Sequence, residues 1–254
     1  MQLRRAGLVV RRNVLVFRRA RLSFWSGLLE PLIYLATFGI LLDRLVGRVR
    51  TGGAEVDYLT FAGPGLLAGV VLTVVGNEAV GNLFYKIRLT RAYDALMATP
   101  ISGFDVMVGE VAWTTARATV YGAPFIGVLV LLGTVRPVAA PLLLLGVSAI
   151  ACGLAAVGVA AGTLLLTWQH RDLVQAVTLP LFFLSGTLFP IDLYPRPVQL
   201  LVEGTPVYVS AVLLRALAAV EWDGRILVAL AYLAVLAVVG GLLAARRLET
   251  VFRS

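Results

Sequence analysis

PLLLLGVSAIACGLAAVGVAAGTLLL, residues 141–166, carries no charged side chain from end to end. A helix rises about 1.5 Å per residue, and a bilayer's hydrocarbon core needs about 20 apolar residues to cross. This stretch is long enough, and its small residues suit close helix packing in lipid. Working outward, six apolar runs meet or approach that length: 26–42, 59–81, 105–133, 138–167, 173–190 and 225–245. The third and fourth join through GTVRPVAAP (133–141), which reads as a turn. A further segment holds Glu203, Pro206 and Arg215 and is too polar and broken to span. It predicts a re-entrant excursion over 191–222, packed on protein. The fold expected is an all-α membrane protein with six transmembrane helices and no second domain.

Composition agrees. Of 254 residues, 59% are hydrophobic and 14% charged, against about 25% charged in ordinary soluble domains. The net charge of +8 could suggest nucleic acid, but the apolar runs leave no soluble domain to carry a groove reader. No nucleic-acid partner is expected. Cys152 is the single cysteine, so no internal disulfide forms. His170, the single histidine, has no metal-ligand spacing around it. A cleaved signal peptide is not expected, because the basic N-terminal stretch is too long for one.

That stretch, RRAGLVVRRNVLVFRR (4–19), pairs its arginines as Arg4/Arg5, Arg11/Arg12 and Arg18/Arg19. Seven residues make nearly two helical turns, so the pairs stack into one stripe. Leu3, Ala6, Val9, Val10, Val14, Val16 and Phe17 take the opposite arc, with Asn13 and Arg21 as flaws in it. This predicts an interfacial helix over 1–25, arginines at lipid phosphates and valines in acyl chains. Counting Lys and Arg by segment puts fourteen on the N-terminal side and seven on the other. Both termini are therefore expected in the cytoplasm.

Ionisable residues within spans are often functional. Glu110 and Arg117 are seven apart on one face of the third span. They either pair, with each other or with another helix, or serve function; Glu78 on the second span is similar. GLLAG (65–69) and GVAAG (158–162) offer close helix approach without naming a partner. The only lysine, Lys86, follows Tyr85, so there is no phosphate-cradling G-x-x-x-x-G-K-[ST] loop. ATP is not bound here by that route. Ser185 and His170 could suggest an intramembrane hydrolase, but fifteen helical residues separate them by ~22 Å.

Two connecting stretches are informative. NLFYKIRLTRAYDALMATPIS (82–102) sets Leu89, Tyr93 and Leu96 on one face and stops at Pro100. It reads as a short amphipathic helix over 82–100, either a docking element with an apolar ridge or a plain interfacial connector. LPLFFLSGTLFPIDLYPRPVQLLVEGTPVYVSAVLLR (179–215) is broken by five prolines and predicts a compact cap.

YDALMATPISGFDVMVGEVAW (93–113), LFFLSGTLFPIDLYP (181–195) with PVYVSAVLLR (206–215), and LEPLIYLATFG (29–39) resemble the ABC-2-type transporter permeases. They are most similar to the nodulation-factor and daunorubicin-resistance export branch. The likeness covers nearly the whole chain as one transmembrane domain, 1–254. It implies a permease subunit of an ATP-driven exporter in a bacterial cytoplasmic membrane, exporting a drug, lipid or lipid-linked glycan. It implies a second permease, same or homologous, and two ATPase subunits that hold ATP and Mg, with no cofactor on this chain. The N-terminal helix would be a connecting helix and 82–100 a coupling helix, with Phe84, Tyr85, Arg88, Arg91, Tyr93 and Asp94 near the ATPase. The pathway would run beside the second and fifth spans, lined by Thr73, Asn77, Phe182, Phe183, Ser185 and Leu188. An intramembrane hydrolase, or an ATP-independent channel or scaffold, are the alternatives.

Overall fold

The computed structural model describes residues 2–19, 21–51, 54–90, 93 and 101–253. Helix α1 (Gln2–Arg19) precedes α2 (Arg21–Tyr34), which continues through a π-helical stretch, Leu35–Leu41, into α3 (Leu42–Val46). A hairpin follows, β1 (Arg48–Thr51) against β2 (Ala54–Asp57). Helix α4 (Tyr58–Val75) continues through π-helical stretches, Gly76–Asn82 and Tyr85–Leu89. Then come α5 (Gly103–Leu131), α6 (Ala140–Leu164), α7 (Trp168–Leu184), α8 (Arg196–Glu203), α9 (Pro206–Ala219) and α10 (Gly224–Arg253).

Among the described residues, four helical runs can cross a membrane by length and composition: Tyr58–Leu89, Gly103–Leu131, Pro137–Leu164 and Gly224–Phe252. They match the second, third, fourth and sixth expected spans. The first expected span lies inside the helical run from α2 to α3. The fifth lies on α7, which stops at Leu184 rather than 190. Ser185 ends it, and Gly186 at φ +66° reverses the chain, a conformation that suits a residue without Cβ. The stretch expected to be re-entrant folds as the pair α8 and α9, bent by 79° at Gly204-Thr205. Thr205 accepts from the Tyr208 amide and Pro206 opens α9, a local start signal that fixes the bend.

The chain is mostly helical, as expected, and a short hairpin stands beside the helices. Its strands set Arg48 opposite Asp57 and Arg50 opposite Glu55. Opposite charges facing across a pair stabilise it. Val49 and Val56 face each other and pack toward Tyr58, Phe61 and Ala62 at the start of α4. The second span also runs on to Leu89, past the expected stop at 81. Lys86 near its end does not terminate it, because Glu110 on α5 neutralises it.

The span 58–89 is the centre of the bundle, with 72% of its most apolar window buried, against 28% for α10. The small-residue motifs explain that centrality. A Cβ on Gly158 or Gly162 would sit 2.9 Å from Ala79 Cβ or 2.8 Å from Ala79 O, so α6 lies directly on the span. The N-terminus of α5 is fixed by a capping box: the Asp105 amide donates to Ser102 Oγ (3.2 Å) and the Ser102 amide to Asp105 Oδ2 (3.0 Å). One end of the bundle gathers α1, Tyr93 and the last turns of α10; Tyr93 and Phe252 rings lie 5.8 Å apart. This is the basic end. The other, the cap end, carries the hairpin and residues 185–220.

Candidate functional site

Two cavities open between α2, α4 and α7. One, of about 250 Å³, is mainly apolar and meets Phe38, Leu66, Leu179, Phe182 and Phe183. The other, of about 380 Å³, is more polar and meets Asn82, Tyr85, Arg117, Tyr121 and Trp168. Glu30, Pro31, Val70, Thr73 and Asn77 line both. The long apolar span brings Thr73 and Asn77 to one face, four residues apart.

Behind the polar cavity lies a charge ladder between α4's extension and α5. Glu78 takes an ion pair from Arg117, and Glu110 one from Lys86, 2.8 Å. Glu78 and Lys86 are eight apart on one helix, Glu110 and Arg117 seven apart on the other, so two antiparallel helices match charge to charge. Each carboxylate is further satisfied. Glu78 accepts from Trp113 Nε1 and Asn82 Nδ2, both 2.9 Å. Glu110, fully buried, accepts from Asn13 Nδ2 at 2.9 Å and Tyr93 Oη at 2.5 Å. Buried charges persist only when paired and hydrogen-bonded in this way.

Helix α1 reaches both rungs with one face. Asn13 serves Glu110, and Phe17, one turn on, lies under the Arg117 guanidinium at 4.3 Å and edge-on to Trp113. A Cβ on Gly109 would fall 2.6 Å from Val9 Cβ, so α1 lies against α5 there. Part of the expected apolar arc therefore packs on the chain itself. Ala6, Val9 and Asn13 are buried against the chain itself rather than in acyl chains, while Leu8, Leu15 and Val16 stay exposed. The flaw in the apolar arc, Asn13, is the residue that makes the polar contact.

Tyr93, expected on the coupling helix, packs inside the chain. It does not sit on an exposed ridge; it is buried, donates to Glu110 and lies 5.6 Å from the Arg12 guanidinium. Burial and then the Glu110 charge hold its hydroxyl well above the usual phenol range, Arg12 opposing, so it stays a donor. Phe84 is also buried, edge-on to Trp168 at 5.5 Å. Tyr85 and Arg88 are exposed at the end of the span-2 helix. Arg91 and Asp94 lie outside the described residues. Of the stripe arginines, Arg11, Arg18 and Arg19 are exposed and Arg5 and Arg12 half-buried, while the Arg4 side chain lies outside the description.

Four of the six expected pathway residues line a cavity: Thr73, Asn77, Phe182 and Phe183. Ser185 and Leu188 do not. Both are buried in the reversal after α7, where Ser185 donates to Leu181 O and shares a hydrogen bond with Thr205 Oγ1 (3.3 Å). His170 sits in the first turn of α7 and Ser185 at its end, so the two share no proton.

The cap end has its own fixing point, which the sequence showed only as a reason not to span. Arg215 of α9 donates from Nε to Phe61 O (3.0 Å) and from Nη2 to Gly186 O and Thr187 O (2.6 and 3.1 Å). Its guanidinium lies 3.9 Å from the centre of the Phe61 ring. One side chain therefore ties the cap, the turn after α7 and the start of α4.

Several apolar helices long enough to cross a membrane, packed around an internal cleft, are the build of a multi-pass membrane protein. The profile of the family described as "ABC-2 type transporter" matches residues 5–218, and the chain belongs to that family. Nodulation protein J of Rhizobium leguminosarum bv. viciae is 29% identical over 209 residues, 82% of this chain and 79% of that protein. The same-named protein of R. leguminosarum bv. trifolii is 30% identical over 82% of this chain and 78% of its own length. That of Rhizobium meliloti (strain 1021) is 28% identical over 193 residues. The chain is a transporter permease.

Proposed function

We propose that this permease is half of an ATP-driven exporter, moving a hydrophobic or amphiphilic molecule outward across a bacterial cytoplasmic membrane. A second permease, same or homologous, completes the pathway, and two ATPase subunits holding ATP and Mg supply the energy. Six spans then cross the bilayer, the run α2–α3 and α7 being the first and fifth, with both termini and the basic end in the cytoplasm. The observation that carries this reading is the pair of cavities between α2, α4 and α7, one apolar and one polar, with a shared wall.

Coupling needs an element that both sites can bias. The charge ladder suits that role, because α1 and Tyr93 bear directly on carboxylates that also hold α4 to α5. Motion of an ATPase against the exposed Tyr85 and Arg88 would reach the cavity wall through the same helix. Arg88→Asp tests this. The variant chain should insert normally and still co-purify as a permease, yet lose ATPase stimulation and transport in vesicles containing the partner ATPase. Unchanged transport would remove the coupling role from this helix end.

A further inference from the structure

The two cavities share a wall but differ in charge balance. The polar cavity is lined by two carboxylates and one guanidinium: Glu30, Glu78 and Arg117. Glu78 and Arg117 neutralise each other. Glu30 is different. It is exposed, lines the apolar cavity together with Tyr34 one turn on, and makes no ion pair among the described residues. A carboxylate on an apolar membrane helix is costly in front of acyl chains and marks a ligand or ion pathway.

Beside it begins a run of aromatic rings. Tyr34 and Phe38 lie 6.1 Å apart, Phe38 and Phe183 6.3 Å, Phe183 and Phe182 5.3 Å. The strip leads from Glu30 into the apolar cavity. Aromatic faces attract both flat apolar bodies and cations.

We infer that the paired cavities bind a cationic amphiphile, its charged head at Glu30 and its apolar body along Tyr34, Phe38, Phe183 and Phe182. This rests on the transporter reading above and adds the charge class of the ligand. Asn77 and Thr73 give the head hydrogen-bond acceptors beside the carboxylate. Arg117, held by Glu78, contributes no net charge to oppose it.

The test uses two dyes with one xanthene core: rhodamine 6G, a permanent cation, and rhodamine B, net neutral at pH 7.5. Binding to the full chain in lipid nanodiscs is read by fluorescence anisotropy, with protein-free nanodiscs subtracted. The wild type should prefer rhodamine 6G by about tenfold. Glu30→Gln should bring the two dyes within about twofold of each other, and Glu30→Asp should keep the preference. Phe183→Ala should weaken both dyes alike. Retained rhodamine B binding by Glu30→Gln shows that its site is folded.

The inference is overturned if the wild type shows no preference, if Glu30→Gln keeps it, or if that variant loses both dyes together. The last result would mean that Glu30 holds the structure or a second copy rather than a ligand. Because the assay contains no ATPase, a missing dye preference leaves the exporter reading standing. A failure of ATPase coupling leaves the dye preference untouched.

Discussion

The two ends of the bundle are held by opposite chemistry. At the basic end, carboxylates collect side-chain donors: Lys86, Tyr93 and Asn13 on Glu110, and Arg117, Trp113 and Asn82 on Glu78. At the cap end a guanidinium collects main-chain carbonyls, those of Phe61, Gly186 and Thr187. Side-chain pairs can exchange partners or be re-paired by substitution. Main-chain carbonyls at a helix start and a glycine turn cannot move without remaking the backbone. The basic end is thus built to shift, and the cap end to stay.

The largest effect tests the ladder. Removing one partner of a buried ion pair costs about 3–5 kcal/mol, because the other charge is left buried and alone. Glu110→Met and Lys86→Met should each lower stability by that order, read by thermal unfolding in detergent. The double variant should recover more than half of the loss, since an apolar pair can replace a buried ionic one. Losses that simply add would show that the two residues do not act as a pair.

The cap should behave otherwise. Arg215→Leu leaves three carbonyls without their donor and should cost about 2–3 kcal/mol. Arg215→Lys should restore little of it, because a single ammonium cannot fork to carbonyls on different elements. No second substitution can re-pair main-chain groups. A well-behaved lysine variant would mean that charge alone, rather than the fork, holds the cap.

The sequence displayed the four membrane-length runs because each is a long, mostly apolar stretch, and such stretches admit few other readings. It did not display their ends. The second span passes Lys86 because its partner, Glu110, sits on α5, and such a partner is invisible in a local window. Glu110 and Arg117 share a face, but seven residues separate them by about 10.5 Å along the axis, so each turns to the neighbouring helix instead. Spacing also put Leu89 and Tyr93 on one ridge without saying which way it turns; Tyr93 turns inward because Glu110 accepts its hydroxyl. Of the pathway residues, those on α4 and α7 reach the cavities. Ser185 and Leu188 miss them because a glycine reversal at 186 folds that stretch under the cap. Glu30 falls within the first apolar run, and nothing in its neighbours reveals the wall it lines.

The smallest expected effect asks how firmly α1 belongs to the movable end. Val9 and Ala6 meet α5 at Gly109, where an added Cβ would lie 2.6 Å from Val9 Cβ and 3.0 Å from Ala6 O. Gly109→Ala must therefore push α1 outward, since one contact is backbone and neither atom is the end of a flexible side chain. Crowding of this kind costs about 1–3 kcal/mol in a packed core. Here it should fall near the low end, about 1 kcal/mol, because α1 can shift over the surface of α5. The shift should draw Asn13 from Glu110 and Phe17 from Arg117 while both ion pairs of the ladder remain. Hydrogen exchange should then speed across α1 and leave α4, α5 and the cap unchanged. If α4 and α5 loosen as well, α1 is part of the rigid bundle and the contrast between the two ends is weaker than their chemistry implies.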